Sequence, residues 1–300
     1  MHYNRSQTAN KGYSVSEQTL KEAGIYSKLT LRLIPSLAVI MGGRFSHWEI
    51  ENQNKLKHTN DQKSDKTFTG YAGLVFDIDN NHSLYGSYSS LYRPQTEVDK
   101  AGNLLKPRQG QQFEIGIKGS YFGDRLTTRL SAYQLEDKNA AASPANDPKA
   151  NYRVAIGKRK MRGIEAEIIG EITPEWNISA GYSYLQSHIT KASTKRDDGI
   201  FLLMPKHSFN LFSTYALTPE WIVGGGINAV SHFKSVAGIQ AKGYATVDLM
   251  ARYQINDKFS AQLNLNNAFN RHYYTRVGSA NTFNIPGEER NVSATFRYRF

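Results

Sequence analysis

Residues able to do chemistry are plentiful in this 300-residue chain, but few fall at the spacings that chemistry needs. Eight histidines stand at His2, His47, His58, His82, His188, His207, His232 and His272. None forms an HExxH frame or a close metal-ligand pair, so each reads as a loop or rim residue and no metal site is expected. Serine and aspartate abound without a nucleophile elbow. Gly224-Gly225-Gly226 is followed by no Lys-Ser/Thr pair, so it reads as glycine within a strand rather than a phosphate loop. Cysteine is absent, which removes thiol catalysis, disulfides and thiolate metal sites. The expectation is a non-enzyme with no catalytic residue and no cofactor.

The net charge of +11 raises the question of nucleic acid. The basic residues are scattered, however, apart from one cluster at Lys158-Arg159-Lys160-Met161-Arg162. No nucleic-acid partner is expected. More telling are charges that alternate with apolar residues. Glu114 and Lys118 oppose Phe113, Ile115 and Ile117, while Glu165 and Glu167 oppose Ile164, Ala166 and Ile168. Asp248, Arg252, Arg297 and Arg299 behave likewise. Charges at membrane depth need water or partners, so this face looks onto a wet channel or a polar plug.

Only a sheet positions side chains this way. Mean hydropathy is −0.54, and no run approaches the ~18 apolar residues of a transmembrane helix. A barrel strand shows only alternate residues to lipid, so low hydropathy is compatible with a membrane wall. Alternation is clearest near the C-terminus, where Ala245, Val247, Leu249, Ala251 and Tyr253 interleave with Thr246, Asp248 and Arg252. Val292, Ala294, Phe296, Tyr298 and Phe300 repeat the pattern. About thirteen strands are expected, near 25–33, 36–50, 67–77, 82–93, 109–121, 125–137, 151–171, 176–189, 205–217, 221–234, 243–255, 258–270 and 289–300. Many match the ~9–11 residues of a tilted spanning strand.

Connections alternate in length. Short turns at 34–36, 79–81, 123–124, 173–175, 218–220 and 256–257 alternate with polar loops at 51–66, 94–108, 138–150, 190–204 and 271–288. In an up-and-down barrel all short turns then share one end. Aromatics such as Trp176, Tyr215, Trp221, Tyr253 and Phe259 gather beside them, where an interfacial girdle would sit. A turn period near 45 also suits a propeller, but a blade packs four short strands where two long ones are read here. The expected fold class is all-β: a transmembrane up-and-down antiparallel β-barrel, incomplete, with about 13 of roughly 22 strands and no plug. Residues 1–24 are expected to be an external loop segment and 25–300 the barrel portion. Met1 to Lys11 carries no apolar signal segment, so an exported protein would need more chain than this.

Six segments resemble, in order, the C-terminal half of TonB-dependent siderophore receptors. They are Leu84-Tyr85-Gly86-Ser87-Tyr88 with Pro94-Gln95, Gly110 to Lys118, Arg162-Gly163-Ile164-Glu165, Met204-Pro205-Lys206-His207, Tyr244 to Leu249, and Leu265 to Tyr274. The branch resembled is that of ferric-coprogen and ferripyoverdine receptors. The resemblance implies an outer-membrane transporter of a Gram-negative bacterium, taking up a ferric siderophore of hydroxamate type, with iron present only as siderophore-bound ligand. It also implies energy from TonB through a plug that this chain does not show, a monomeric state, and contact with outer-membrane lipid.

Ligand would meet the long-loop rim, where Trp48, Tyr92, Arg93, Tyr152, Phe201, Phe233, Tyr273 and Tyr274 are the candidate binding residues. Arg and Tyr are apt donors to the oxygens of such a chelate. The basic cluster lies just above an apolar-facing stretch, so Lys160 and Arg162 are expected to meet lipopolysaccharide phosphates. A passive porin, or a receptor for another large chelate such as cobalamin or haem, are the competing readings.

Overall fold

The computed structural model describes residues 3–8, 13–55, 58–144, 150–155, 157–191, 204–235, 238–278, 280 and 283–300. Among these residues the chain is strand, turn and loop, without a helix. The first strands are β1 (Tyr3–Thr8), β2 (Tyr13–Ile34), β3 (Leu37–Asn54), β4 (Thr59–Asp77), β5 (His82–Arg93), β6 (Arg108–Tyr121) and β7 (Leu126–Lys138). A small hairpin follows, β8 (Ala141–Ala142) with β9 (Val154–Ala155), and then β10 (Lys158–Thr173), β11 (Trp176–Lys191), β12 (His207–Ala216) and β13 (Trp221–Val230). The remainder comprises β14 (Phe233–Lys234), β15 (Gln240–Ala241), β16 (Tyr244–Gln254), β17 (Phe259–Asn266), β18 (Tyr274–Arg276), β19 (Ile285–Pro286) and β20 (Asn291–Tyr298).

Fourteen of these form one antiparallel sheet in the order β1-β2-β3-β4-β5-β6-β7-β10-β11-β12-β13-β16-β17-β20. Every expected spanning strand is present, joined to its sequence neighbour. The register carries the alternation from strand to strand. Leu84, Ile117, Leu130, Ala166, Tyr182, Phe209, Ala229 and Ala245 form one unbroken row across eight strands. The adjacent row on the other face holds Ser83, Lys118, Arg129 and Glu167, with Arg129 and Glu167 ion-paired at 3.3 Å. The apolar row is open to its surroundings: Ile115 beside it is 65% exposed and Leu130 within it 51%. A sheet that turns such a face outward needs hydrocarbon against it.

Aromatics close the short-turn end of that face. Trp176 stands opposite Tyr215, and the Trp221 and Tyr253 rings lie 4.6 Å apart. The near-repeated Thr-Pro-Glu-Trp turns share one device, in which Thr173 Oγ1 donates to Glu175 and Thr218 Oγ1 to Glu220. On the polar face, tyrosines lean across glycines of the neighbouring strand. The Tyr71 ring covers Gly42 and Tyr133 covers Gly163, so closely that a Cβ at either glycine would meet the ring at 2.5 Å. Gly224 to Gly226 lie inside β13.

Two expectations are corrected. Residues 1–24, read as an external loop, include β1 and the first half of β2, and β1 is a strand beyond the thirteen expected. Residues 51–66, also read as a loop, belong mainly to β3 and β4, which pair out to Asn54 and Thr59. Both segments are polar on either face, so hydropathy alternation carried no signal there. Backbone pairing and ion pairs hold them instead, with Lys55 Nζ at 2.7 Å from Glu17 and Arg44 at 3.0 Å from Glu22. At 18 to 22 residues, β2 to β4 far exceed a membrane crossing and project a ribbon on the order of 25 Å beyond it, at roughly 3.3 Å per residue.

Candidate functional site

The long-loop end is built on buried polar ties. Asp137, next to last in β7, is fully buried between two arginines. Arg108 Nε donates to its Oδ2 at 2.7 Å, and Arg159, itself buried, grips both carboxylate oxygens in a fork. The register sets this up, because Arg159 on β10 stands directly opposite Asp137 on β7. Above the triad, the Gln95 amide donates to the Lys106 and Asn139 carbonyls at 2.6 Å each and accepts from Ala141 N–H at 3.0 Å. Asn139 in turn donates to the Pro107 carbonyl, and Arg153 N–H donates to Val98 O. Residues 94–107 are thereby fastened to residues 139–144 and 150–155 in one platform.

A second group lies where β3, β4 and β5 rise together. Trp48 Nε1 donates to the Tyr92 hydroxyl at 3.0 Å, which donates to Asp65 at 3.2 Å. Further along β3, hydrogen bonds from Gln53 and then Asn60 hold the Glu51 carboxyl below its ordinary value.

A third group ties the last long loop. Asn267 follows β17 with φ of 48° and is buried. Its amide donates to the Arg271 and Glu288 carbonyls at 2.9 Å, and its oxygen accepts from Arg271 N–H at 2.8 Å. Its own N–H donates to Asp248 Oδ1 at 2.8 Å. Asn267→Ala removes three bonds worth about 1 kcal/mol each. We expect faster amide exchange and proteolysis across 271–288, with strand amides in β16 and β17 unchanged.

The sequence-derived rim residues distribute over these groups. Trp48 and Tyr92 are brought together, with Trp48 almost wholly buried, and Arg93 is exposed one residue on. Tyr152 is half-buried in the loop before β9, and its carbonyl accepts from Arg153. Phe233 is buried with Ala241 and Val277, the half-buried Ile239 packing against them, so that β14 and β15 meet Val277. Tyr273 stacks on Tyr244 at 4.0 Å, and Tyr274 is exposed on β18. Phe201 lies outside the described residues. Lys160 is ion-paired with Glu136 at 3.2 Å, and Arg162 Nε donates to Gln134 at 2.9 Å. Among the described residues, no group of three or more His, Asp or Glu is arranged to hold a metal ion.

Sequence reasoning did not single out Asp137, Arg108, Gln95 as a loop tie, or Asn267 as a knot. Gln95 and Asn267 do stand within the family-like segments, which was the available signal. Their job is to fasten loops to the wall, so these segments mark architecture rather than ligand contact.

A wall apolar on one face and polar on the other, with tied loops at one end and tight turns at the other, is that of an outer-membrane β-barrel. A family model described as TonB dependent receptor-like, beta-barrel, matches residues 1–268, and the chain belongs to that family. The ferric-pyoverdine BN7/BN8 receptor of Pseudomonas putida is 34% identical over 274 residues, covering 88% of this chain and 32% of the relative. The ferripyoverdine receptor of Pseudomonas aeruginosa is 30% identical over 306 residues, covering 93% and 36%. The crystal structure of that receptor bound to ferripyoverdine superposes with a TM-score of 0.79 at 28% identity, over 96% of this chain and 39% of that chain. The siderophore receptor PiuA from Acinetobacter baumannii gives 0.80 at 25% identity, over 95% and 44%. The chain thus spans about a third of the curated relatives' length, all of it in the barrel wall and its loops. These relatives are transport receptors, not enzymes, and the wall belongs to the outer membrane of a Gram-negative cell.

Proposed function

We propose that this chain is the C-terminal wall of an outer-membrane transporter that takes up a ferric siderophore of hydroxamate type with energy supplied through TonB. The observation that carries the reading is the match along almost the whole wall to receptors named for ferric pyoverdine. The rim supports it chemically. Arg93, at the end of β5, and Tyr274 on β18 are exposed, so cationic and hydroxyl donors are available to a chelate rich in oxygen. Iron enters this reading as part of the cargo and not as a resident cofactor. The receptor acts as a monomer.

Growth of a deletion strain under iron starvation, supplied with one siderophore at a time, tests this. We expect growth to fail on one or a few hydroxamate chelates and to return on complementation. Uptake that persists after the proton gradient is dissipated would identify a passive porin instead. A defect confined to haem or cobalamin would place the cargo in another class.

A further inference from the structure

The hairpin of β4 and β5 comes apart before either strand ends. Their pairing stops at Tyr71 and Ser89, yet β4 reaches back to Thr59 and β5 runs on to Arg93. Side chains set this opening. At its base Ser90 Oγ stands in for a ladder partner, accepting from Gly70 N–H at 2.8 Å and donating to Gly70 O at 3.1 Å. Higher up, the Tyr92 side chain crosses from β5 to Asp65 on β4, which ties the strands at a side chain's length. A cavity of about 480 Å³ lies in the angle, bordered by Phe68, Leu91 and Tyr92.

The consequence is a bare strand edge. In an antiparallel ladder both backbone groups of a residue point to one side, and the side alternates along the strand. Asp77 N–H donates to Ser36 O, next to β3, whereas Ile78 N–H donates to His82 O on β5. The register of β3 with β4 runs unbroken from Phe76 to Thr59, so the even-numbered residues of β4 face the open side. Asn60, Gln62, Ser64, Lys66 and Phe68 thus present N–H and C=O there, over roughly 30 Å at the rise of a strand. The Lys66 N–H is taken by its neighbour Asp65 at 2.8 Å. Among the described residues, the N–H groups of Asn60, Gln62, Ser64 and Phe68 meet no acceptor. An edge of this length, without proline or bulge, is a template for another strand.

We propose that this edge docks an extended segment of an extracellular protein, which joins the sheet antiparallel to β4 in the place that β5 vacates. Main-chain bonds to Asn60, Gln62 and Ser64 supply the attachment, and side chains select the partner. Lys66 is exposed on this strand and favours a carboxylate opposite it. Phe68, 69% exposed beside the cavity, favours an apolar residue. A segment with lysine at the position facing Lys66 is disfavoured by the same rule. The ribbon projects beyond the hydrocarbon layer here, so the partner arrives from the aqueous side. This goes beyond the transport reading and stands on strand register.

The test uses the full receptor in detergent micelles and a synthetic nine-residue strand with Leu first, Glu third, and Thr or Val elsewhere. Aligned antiparallel, its first residue faces Phe68, its third Lys66, its fifth Ser64 and its seventh Gln62. With peptide at ten times its Kd, hydrogen-exchange protection at Gln62 and Ser64 should rise about tenfold. Lys63 and Asp65, whose N–H groups face β3, should not change. Methylating the peptide nitrogens of the fifth and seventh residues should abolish the protection, and methylating the sixth and eighth should leave it. Replacing the third-residue Glu by Lys should weaken binding about two- to fivefold, and Lys66→Glu should restore it. Ser64→Pro removes an N–H that β3 does not use, so it should lose the peptide while ferric siderophore uptake continues. No protection at millimolar peptide overturns the proposal, as does protection indifferent to which nitrogens are methylated. Slow exchange at Gln62 and Ser64 in the receptor alone would show the edge already covered, by a second copy if native mass spectrometry finds a dimer, and would overturn it too. None of these failures touches the transport reading, which siderophore-dependent growth tests separately.

Discussion

Asp137→Ala should destabilise the wall by about 3–5 kcal/mol, the largest loss expected from any single side chain described here. Arg159 and Arg108 converge on this one carboxylate, which is fully buried, and Arg159 is buried with it. Removing it takes from both guanidinium groups the carboxylate they share, and one of the two is shut away from water. The urea midpoint for refolding into lipid vesicles should fall accordingly, and loops 94–107 and 139–157 should lose protease resistance together. A triple change of Asp137→Leu, Arg108→Met and Arg159→Met should recover most of the loss, because a buried ionic group replaced whole by apolar side chains is often neutral. A triple variant no more stable than Asp137→Ala would show that packing, not charge, holds the site.

Gly170→Ala is the second large effect, and its origin is backbone geometry. Gly170 has φ of +135°, which side-chain-bearing residues rarely adopt, and a Cβ there would sit 1.9 Å from the Arg125 carbonyl oxygen. The following residue donates its N–H to that same oxygen at 2.9 Å. The pairing of β10 with β11 then slips between Glu171 and Thr173. Alanine must either push β7 away from β10 or abandon the bulge. The strain in such a conformation is on the order of 1–3 kcal/mol before any clash is counted. We expect a lowered refolding midpoint and exchange protection lost first at Leu126 and Thr127, with the long-loop platform intact. A midpoint equal to that of the unaltered protein would mean the bulge relaxes without cost.

These two residues show where the sequence could be read and where it could not. Ile164 to Ile168 declared its faces by alternation, and β10 follows them. Ile168 and Ile169 break the alternation one step before Gly170, but a broken pattern does not say that a carbonyl of another strand fills the space beside a glycine. Asp137 sits in the run Glu136-Asp137-Lys138, which reads as three solvated charges. Only the register separates them, sending Asp137 to the covered side and its two neighbours to the other. Residues 13–24 were misread for a related reason: a strand polar on both faces leaves no periodic trace, and its partner on β3 is what fixes it. Among the rim residues, Trp48 and Phe233 were noticed for being aromatic, yet burial turns both into supports. Arg93 and Tyr274 stay open to solvent at the rim.

Every long strand in the sheet pairs its backbone only with the long strands before and after it in sequence. Each hairpin is thus a stave whose backbone register depends on two neighbours and on nothing farther round the wall. An insertion in one outer loop, or its exchange for that of a relative, leaves the register of the other staves untouched. The rim can therefore be rewritten one tied pair of loops at a time, so a lineage could retune what it captures from outside while keeping the wall that the membrane requires.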